Sequence, residues 1–299
     1  MSFILPSSAK FSIALLLLFS CASPKPEQWI FTLGTEKGVN DNKRLEETSG
    51  LVASDRYRGY YWAHNDSGHP AKLFLLDSMA LTRATFPISG AKNRDWEDIT
   101  RLTLDSVSLL FIGDIGDNKQ QHDIKIIYCV PEPKNLDSTS ALNPTQTLWI
   151  RLAGRARDME ALMADPVTKN LYLISKREHE VNVYEITYPY PRDTLEVEAI
   201  LELPISRITA ADISADGSEI LLKNYTDVFY WKRSPGQTIP DALKASPIIL
   251  PYEREPQGES IAWALDGSGY YTLSENGKGE RGRLLFYKRT RQADKAPHQ

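Results

Sequence analysis

An all-β, five-bladed propeller is the fold this sequence predicts, and three observations carry that prediction. Acidic segments open β-like stretches at Glu46-Glu47-Thr48-Ser49-Gly50-Leu51, Asp95-Trp96-Glu97-Asp98-Ile99, Asp158-Met159-Glu160-Ala161-Leu162, Ala211-Asp212-Ile213-Ser214 and Gly258-Glu259-Ser260-Ile261-Ala262. With Glu47, Glu97, Glu160, Asp212 and Glu259 as markers, the spacings are 50, 63, 52 and 47 residues, which suits four-stranded blades with one long insertion. Each opening is followed by a stretch that ends in a polar cluster: His64-Asn65-Asp66-Ser67, Asp114 with Asp117-Asn118, Ser175-Lys176-Arg177, Lys223-Asn224-Tyr225, and Ser274-Glu275-Asn276. Finally, Ala215-Asp216-Gly217-Ser218 and Leu265-Asp266-Gly267-Ser268 occupy one hairpin position in two repeats, and Asp165-Pro166-Val167-Thr168-Lys169-Asn170 fills it in a third.

Taken in order, blade one uses Gly50 to Ser54, Tyr60 to Asn65, Lys72 to Asp77 and Thr82 to Ile88. Blade two uses Asp98 to Leu104, Ser108 to Gly113, Ile124 to Val130 and Thr147 to Leu152. Blade three uses Ala161 to Ala164, Leu171 to Ser175, Asn182 to Ile186 and Glu196 to Leu203; blade four uses Ala211 to Ser214, Glu219 to Lys223, Asp227 to Lys232 and Pro247 to Leu250. Blade five supplies only Ser260 to Ala264, Gly269 to Leu273 and Arg283 to Lys288. The missing strand is expected from Gln28-Trp29-Ile30-Phe31-Thr32-Leu33, whose pairing with the last blade closes the ring and removes an exposed edge. Six blades are the alternative if the insertion from Pro131 to Pro144 contains further strands.

Residues 1–21 read as a targeting segment, with Lys10, an apolar run from Phe11 to Phe19, and Leu18-Phe19-Ser20-Cys21 at its end. The run is too short to remain as a membrane span. The tetrapeptide resembles a bacterial lipobox, which makes Cys21 a lipidation site; an ordinary secretory signal cut near Ala22-Ser23 is the alternative. Residues 22–27 form a tether, 28–291 the propeller and 292–299 a polar tail. About 270 mature residues leave room for a single propeller, expected to be monomeric and in the cell envelope or outside the cell. With Cys21 lipidated, Cys129 has no disulfide partner, and its place in Ile126-Ile127-Tyr128-Cys129-Val130 reads as core. A net charge of −4 without a Lys/Arg block argues against nucleic-acid binding, and the membrane is reached only through the lipid.

In an antiparallel blade the start of the first strand and the end of the second share one rim, so acids and polar clusters meet at one mouth of the channel. Like charges held there need a cation or neighbouring Lys and Arg. Oxygen donors of this kind suit calcium, with Glu47, Ser49, Glu97, Glu160, Asp212 and Glu259 as candidate ligands; pairing with Arg or backbone amides is the alternative. Alternation puts Asp95 and Glu97 on one face and Asp98 on the other. His64, Asp66 and Asp114 are the candidates for proton transfer. Lys176, Arg177, Lys223, Asn224 and Glu275 are candidates for contacting an anionic or glycan ligand. Gly113-Asp114-Ile115-Gly116-Asp117-Asn118 reads equally as a ligand-binding loop and as an Asx-turn network; it lacks EF-hand spacing. No nucleophile elbow and no zinc-spaced His pair are present.

With Trp62-Ala63-His64-Asn65-Asp66-Ser67-Gly68 and the acidic openings, the chain resembles a group of uncharacterised secreted bacterial propellers, many of them lipoproteins. More remotely it is similar to esterase-like phytase propellers. It is also similar to calcium-activated nucleotidases, whose central calcium implies ligand roles for Glu97, Glu160, Glu259 and Ser49; their nucleotide-contacting motifs have no counterpart here. Together these readings imply a calcium-dependent hydrolase of phosphoesters. The alternative is a non-catalytic propeller that holds a glycan, peptide or protein at the same face.

Overall fold

The computed structural model describes residues 30–137, 140–277 and 280–290. Cys21, the targeting segment, the tether and the polar tail lie outside the described residues. Blade one is β2 (Thr48–Ala53), β3 (Tyr61–Asn65), β4 (Lys72–Leu76) and β5 (Thr82–Pro87). In blade two, β6 (Trp96–Leu104), β7 (Val107–Asp114), β8 (Ile124–Pro131) and β9 (Gln146–Leu152) are joined at the outer edge by β13 (Leu195–Val197). Blade three is β10 (Met159–Ala164), β11 (Leu171–Ser175), β12 (Val181–Ile186) and β14 (Ala199–Leu203). Blade four is β15 (Ile208–Ile213), β16 (Glu219–Asn224), β17 (Val228–Lys232) and β18 (Ile248–Leu250), with the short helix α1 (Ile239–Leu243) before its last strand. Blade five is β19 (Ser260–Trp263), β20 (Gly269–Leu273) and β21 (Arg283–Lys288), completed by β1 (Thr35–Val39) from the start of the described chain.

The apolar faces of these sheets meet in pairs. Five separate cores lie between blades one and two, two and three, three and four, four and five, and five and one. Blade number is therefore five. The described part of the Pro131 to Pro144 insertion adds no strand; it lies along the edge of blade one through a bridge from Leu142 to Ile88. Glu132 anchors the insertion, accepting hydrogen bonds from Trp62 Nε1 at 2.8 Å and Ser108 Oγ at 2.7 Å.

Ring closure extends beyond the segment the sequence suggests. β1 pairs with β21; of the expected Gln28 to Leu33, whose first two residues lie outside the described ones, Phe31 bridges Arg289, with Thr32 N donating to Lys288 O and Thr290 N to Ile30 O, both at 2.9 Å. Phe31 also packs its ring among Tyr230, Trp263 and Tyr270 in the core between blades four and five. A second correction concerns Glu196 to Leu203, which divides: β13 runs parallel to β9 in blade two, and β14 closes blade three.

Left-handed residues turn the first hairpin of every blade. They are Gly59 (φ 78°), Asp105 and Ser106 (47° and 65°), Lys169 (68°), Gly217 (75°) and Gly267 (69°). The three hairpins matched in sequence thus share a left-handed residue, Lys169 where the others carry Gly, but Lys169 N bonds Asp165 O four residues back while Gly217 N and Gly267 N bond Ser214 O and Ala264 O three back. Among the described residues no helix is long and apolar enough to cross a membrane.

Candidate functional site

The innermost strand of a blade pairs on one side only, and its bulges decide what reaches the mouth of the channel. β2, β6, β10 and β15 each slip register once, at Ser49, Glu97, Glu160 and Thr209. In β19 the pair Ser260–Leu273 corresponds to the pair just after each bulge, which makes Glu259 the fifth equivalent. The structural repeat therefore runs Ser49, Glu97, Glu160, Thr209, Glu259, at intervals of 48, 63, 49 and 50 residues. Glu47 and Asp212 are not members of it. Two residues beyond the second-strand partner of each such pair stand Asp66, Ile115, Lys176, Tyr225 and Glu275, which form the matching ring.

A cavity of about 480 Å³ opens at this mouth. Glu97, Glu160 and Glu259 line its floor from the first strands; Asp66, Lys176, Tyr225 and Glu275 line it from the ends of the second. Asn118, Arg177, Arg207 and Gln257 complete the wall. Three carboxylate groupings converge here, with their oxygens within 4.8 Å of one another: Asp66 with Glu259 and Glu275, Asp66 with Asp95 and Glu97, and Glu97 with Asp158 and Glu160.

Part of this charge is balanced internally. Lys176 Nζ lies 2.8 Å from Glu160 and 3.8 Å from Glu259, and the two carboxylates hold its pKa well above the ordinary lysine value against the opposing effect of burial. Arg177 donates to the Asp158 carboxylate and to the Asn118 side-chain oxygen Oδ1. Asp158 also accepts the Asp117 N–H at 2.7 Å. Tyr225 donates its hydroxyl to Glu259, and Ser49 donates to the Glu97 carbonyl at 2.6 Å.

The remaining acids are held above the usual carboxylate range. Burial, followed by the Asp95, Glu259 and Glu47 charges, raises Asp66 to about 6. Burial and then the neighbouring Glu160 carboxylate push Glu97 well up. Glu160 reaches about 8 because burial outweighs the attraction of Lys176, and Glu275 about 9 through burial and the Glu259 charge. Glu160 Oε2 is buried and has no hydrogen-bond partner among the described residues. Hard carboxylate oxygens, crowded and part unpartnered, are a donor set that fits a calcium-class ion.

Gly116 belongs to this site by what it lacks. A Cβ there would overlap Glu97 Oε1 and Asp95 Oδ2, so the loop after β7 covers the two carboxylates only with glycine.

Several expected residues sit elsewhere. His64 is fully buried against Trp96; its Nδ1 contacts the Asn65 carbonyl at 3.1 Å, and desolvation lowers its pKa to about 4. It does not line the cavity and is neutral at physiological pH. Asp114 lies beneath the mouth, accepting the Asp95 N–H at 2.9 Å and facing Arg94 at 3.5 Å. Asp117 organises its own loop by accepting from Gln121 N, His122 N and Lys125 Nζ. Asp117 thus orders its loop through N–H groups four and five residues on rather than through the i+2 contact of an Asx-turn, while Asn118 reaches the mouth.

Glu47 is half exposed on the rim and pairs with His69 at 3.0 Å. Asp212 lies deeper in the channel, accepting Trp263 N at 2.8 Å and Ile213 N at 2.9 Å. The bulge at Glu97 interrupts the alternation expected along Asp95, Glu97 and Asp98; Asp98 accepts from Ile99 and, across the channel, from Leu162 and Ala211. These two acids satisfy the unpaired N–H groups of the innermost strands and tie blades two to five together. Burial raises Asp212 to about 7.

Lys223 is buried between blades four and five, stacked on Tyr252 at 4.5 Å and donating to Asn224 O and Gly258 O; burial lowers its pKa to about 8. Asn224 forms a turn with Thr226 and Asp227. Cys129 is core, and burial raises its thiol to about 11.

Arg207 and Gln257 are the lining residues that the sequence reading passed over. Each stands two residues before its blade's bulge position, and each has a left-handed backbone, with φ of 59° and 45°. The signal was available in the second-strand ends, whose regular intervals of 49, 61, 49 and 50 residues point to Thr209 rather than Asp212.

No family model matches the chain, and no curated protein matches it. Among solved structures it is similar to the PQQ-bound form of an aldose sugar dehydrogenase from Streptomyces coelicolor, at 12% identity and a TM-score of 0.48, over 88% of this chain and 99% of that one. It is also similar to a chain of a nidogen/laminin complex, at 12% identity and a TM-score of 0.47, over 77% and 73%. At these values neither structure argues for a ligand or an activity.

Proposed function

We propose that the channel mouth is a divalent-cation site of the calcium class, centred on Asp66, Asp95 and Glu97 with Glu259 and Glu275 across from them. The observation that carries this reading is that seven carboxylates converge while Lys176 and Arg177 are the cations bonded to them. Lys176 serves Glu160 and Glu259, so the side formed by blades one and two is the less compensated one. Ser49 contributes by fixing the Glu97 backbone, and Glu160 by its unpartnered oxygen.

The reaction class that suits this arrangement is hydrolysis of a phosphoester. A bound divalent ion would polarise the ester and generate the attacking water. Glu275, raised to about 9 in the ion-free site, comes from blade five while Asp95 and Glu97 come from blade two, and it would give a proton to the leaving oxygen. Turnover of 4-nitrophenyl phosphate and bis(4-nitrophenyl) phosphate in calcium and in chelator tests this. Calcium-dependent turnover that Glu97→Gln reduces by about a hundredfold or more supports the hydrolase. Calcium binding without turnover of either ester rejects it and favours the non-catalytic binding propeller.

The chain is further proposed to belong to the secreted bacterial propellers that it resembles, as a monomer anchored through a lipid on Cys21. Labelling with radioactive palmitate, lost in Cys21→Ser, checks the anchor.

A further inference from the structure

Resting on the cation reading of the mouth, we propose that Arg207 is its oxyanion-binding residue and that the ligand carries a phosphate-type group. Three cationic side chains line the cavity. Lys176 is held by Glu160 and Glu259, and Arg177 by Asp158 and Asn118. Arg207 makes no ion pair or side-chain hydrogen bond among the described residues, although five carboxylates line the same cavity.

Its backbone keeps it in that position. The left-handed φ of 59° is strained for a residue with a Cβ, and the Arg207 N–H is tied to the Lys176 carbonyl at 2.9 Å. Gln257, at the same repeat position in blade five, shares the left-handed conformation and is likewise exposed. In blades one to three this position holds Glu47, Asp95 and Asp158. At this repeat position the mouth is thus acidic in blades one to three, and in blades four and five it offers a guanidinium and a neutral amide.

A guanidinium matches phosphate oxygens in a fork, and a phosphate group has enough oxygens to bridge a cation and an arginine together, which a carboxylate does less well. Without the cation the surrounding acids repel an anion. Calcium and anion affinities must therefore rise together.

Phenylphosphonate, which is not hydrolysed, is the probe, titrated into the protein with and without saturating calcium alongside benzoate and phenyl glucoside. The expected result is phosphonate binding that needs calcium, exceeds benzoate binding, and weakens about tenfold or more in Arg207→Gln and Arg207→Gly. Arg207→Gly relieves the left-handed strain, so it should fold at least as stably, and it should bind calcium at least as tightly because a positive charge leaves the cavity. Phosphonate affinity equal in wild type and both variants overturns the proposal, as does benzoate binding as tight as phosphonate or no phosphonate binding with calcium bound. A failure of calcium binding in wild type is read separately in the calcium titration and overturns the cation reading beneath it.

Discussion

Each uncompensated carboxylate at the mouth is buried beside another, so protons and metal ions compete for the same oxygens. In the ion-free protein Asp66, Glu160 and Glu275 have folded pKa values of about 6, 8 and 9, all above their ordinary values. The folded state then binds more protons than the unfolded one between the ordinary carboxylate range and these values. Stability falls as pH rises through that window. In chelator the melting temperature should be higher at pH 5 than at pH 9, and calcium should restore it at pH 9; a chelator profile that rises over this range contradicts the assigned burial. His64 has the opposite shift for a base and stays neutral down to about 4. Its ring resonances should not titrate between pH 5.5 and 8, as two-dimensional NMR can check. From sequence alone Glu97, Glu160 and Glu259 were legible because an acid occupies the same repeat position in three blades. Thr209 was not, because blade four has no acid at its bulge and Asp212, three residues later, imitates one while serving the channel backbone.

Among elements, the loop after β7 does most to shape the site. Gly116 lies against Glu97 and Asp95, and a methyl group there must displace their carboxylates. Gly116→Ala should therefore weaken calcium binding by about tenfold or more while changing the melting temperature less, because the displaced atoms are side-chain ends rather than backbone. Hairpins were the most legible elements, since Asp-Gly-Ser specifies a left-handed turn locally. The division of Leu195 to Leu203 into β13 and β14 was illegible, because Leu195-Glu196-Val197-Glu198-Ala199-Ile200-Leu201 carries no breaker and the break comes from pairing with β9 in another blade. α1 carries its start signals, with Thr238 capping Asp241 N and Pro240 in the first turn, but its five residues are too few for a period to show.

At the scale of the whole molecule, ring closure joins β1 to β21 across the full length of the chain. A Cβ on Gly38 would run into the Met79 backbone of blade one, so β1 seals blade five against its neighbour only with glycine at that point. Gly38→Val should lower stability by about 2 kcal/mol or more, read from chemical denaturation. The closing strand was placed too early in sequence because Trp29-Ile30-Phe31 has stronger β propensity than Thr35-Glu36-Lys37-Gly38-Val39; Phe31 proves to be core, and the register is set by packing against blade one.

The central claim is that the acids at the mouth hold a divalent cation. Calorimetric titration of calcium into the purified protein at pH 7.5, repeated in buffers of different ionisation enthalpy, tests it most directly. The account predicts saturable binding that releases protons, because Glu97 and Glu160 give up protons retained near neutral pH, and that is lost in the Glu97→Gln, Asp66→Asn double variant. No saturable heat and no proton release in folded wild-type protein would contradict it, leaving the ring balanced by Lys176, Arg177 and its own protons.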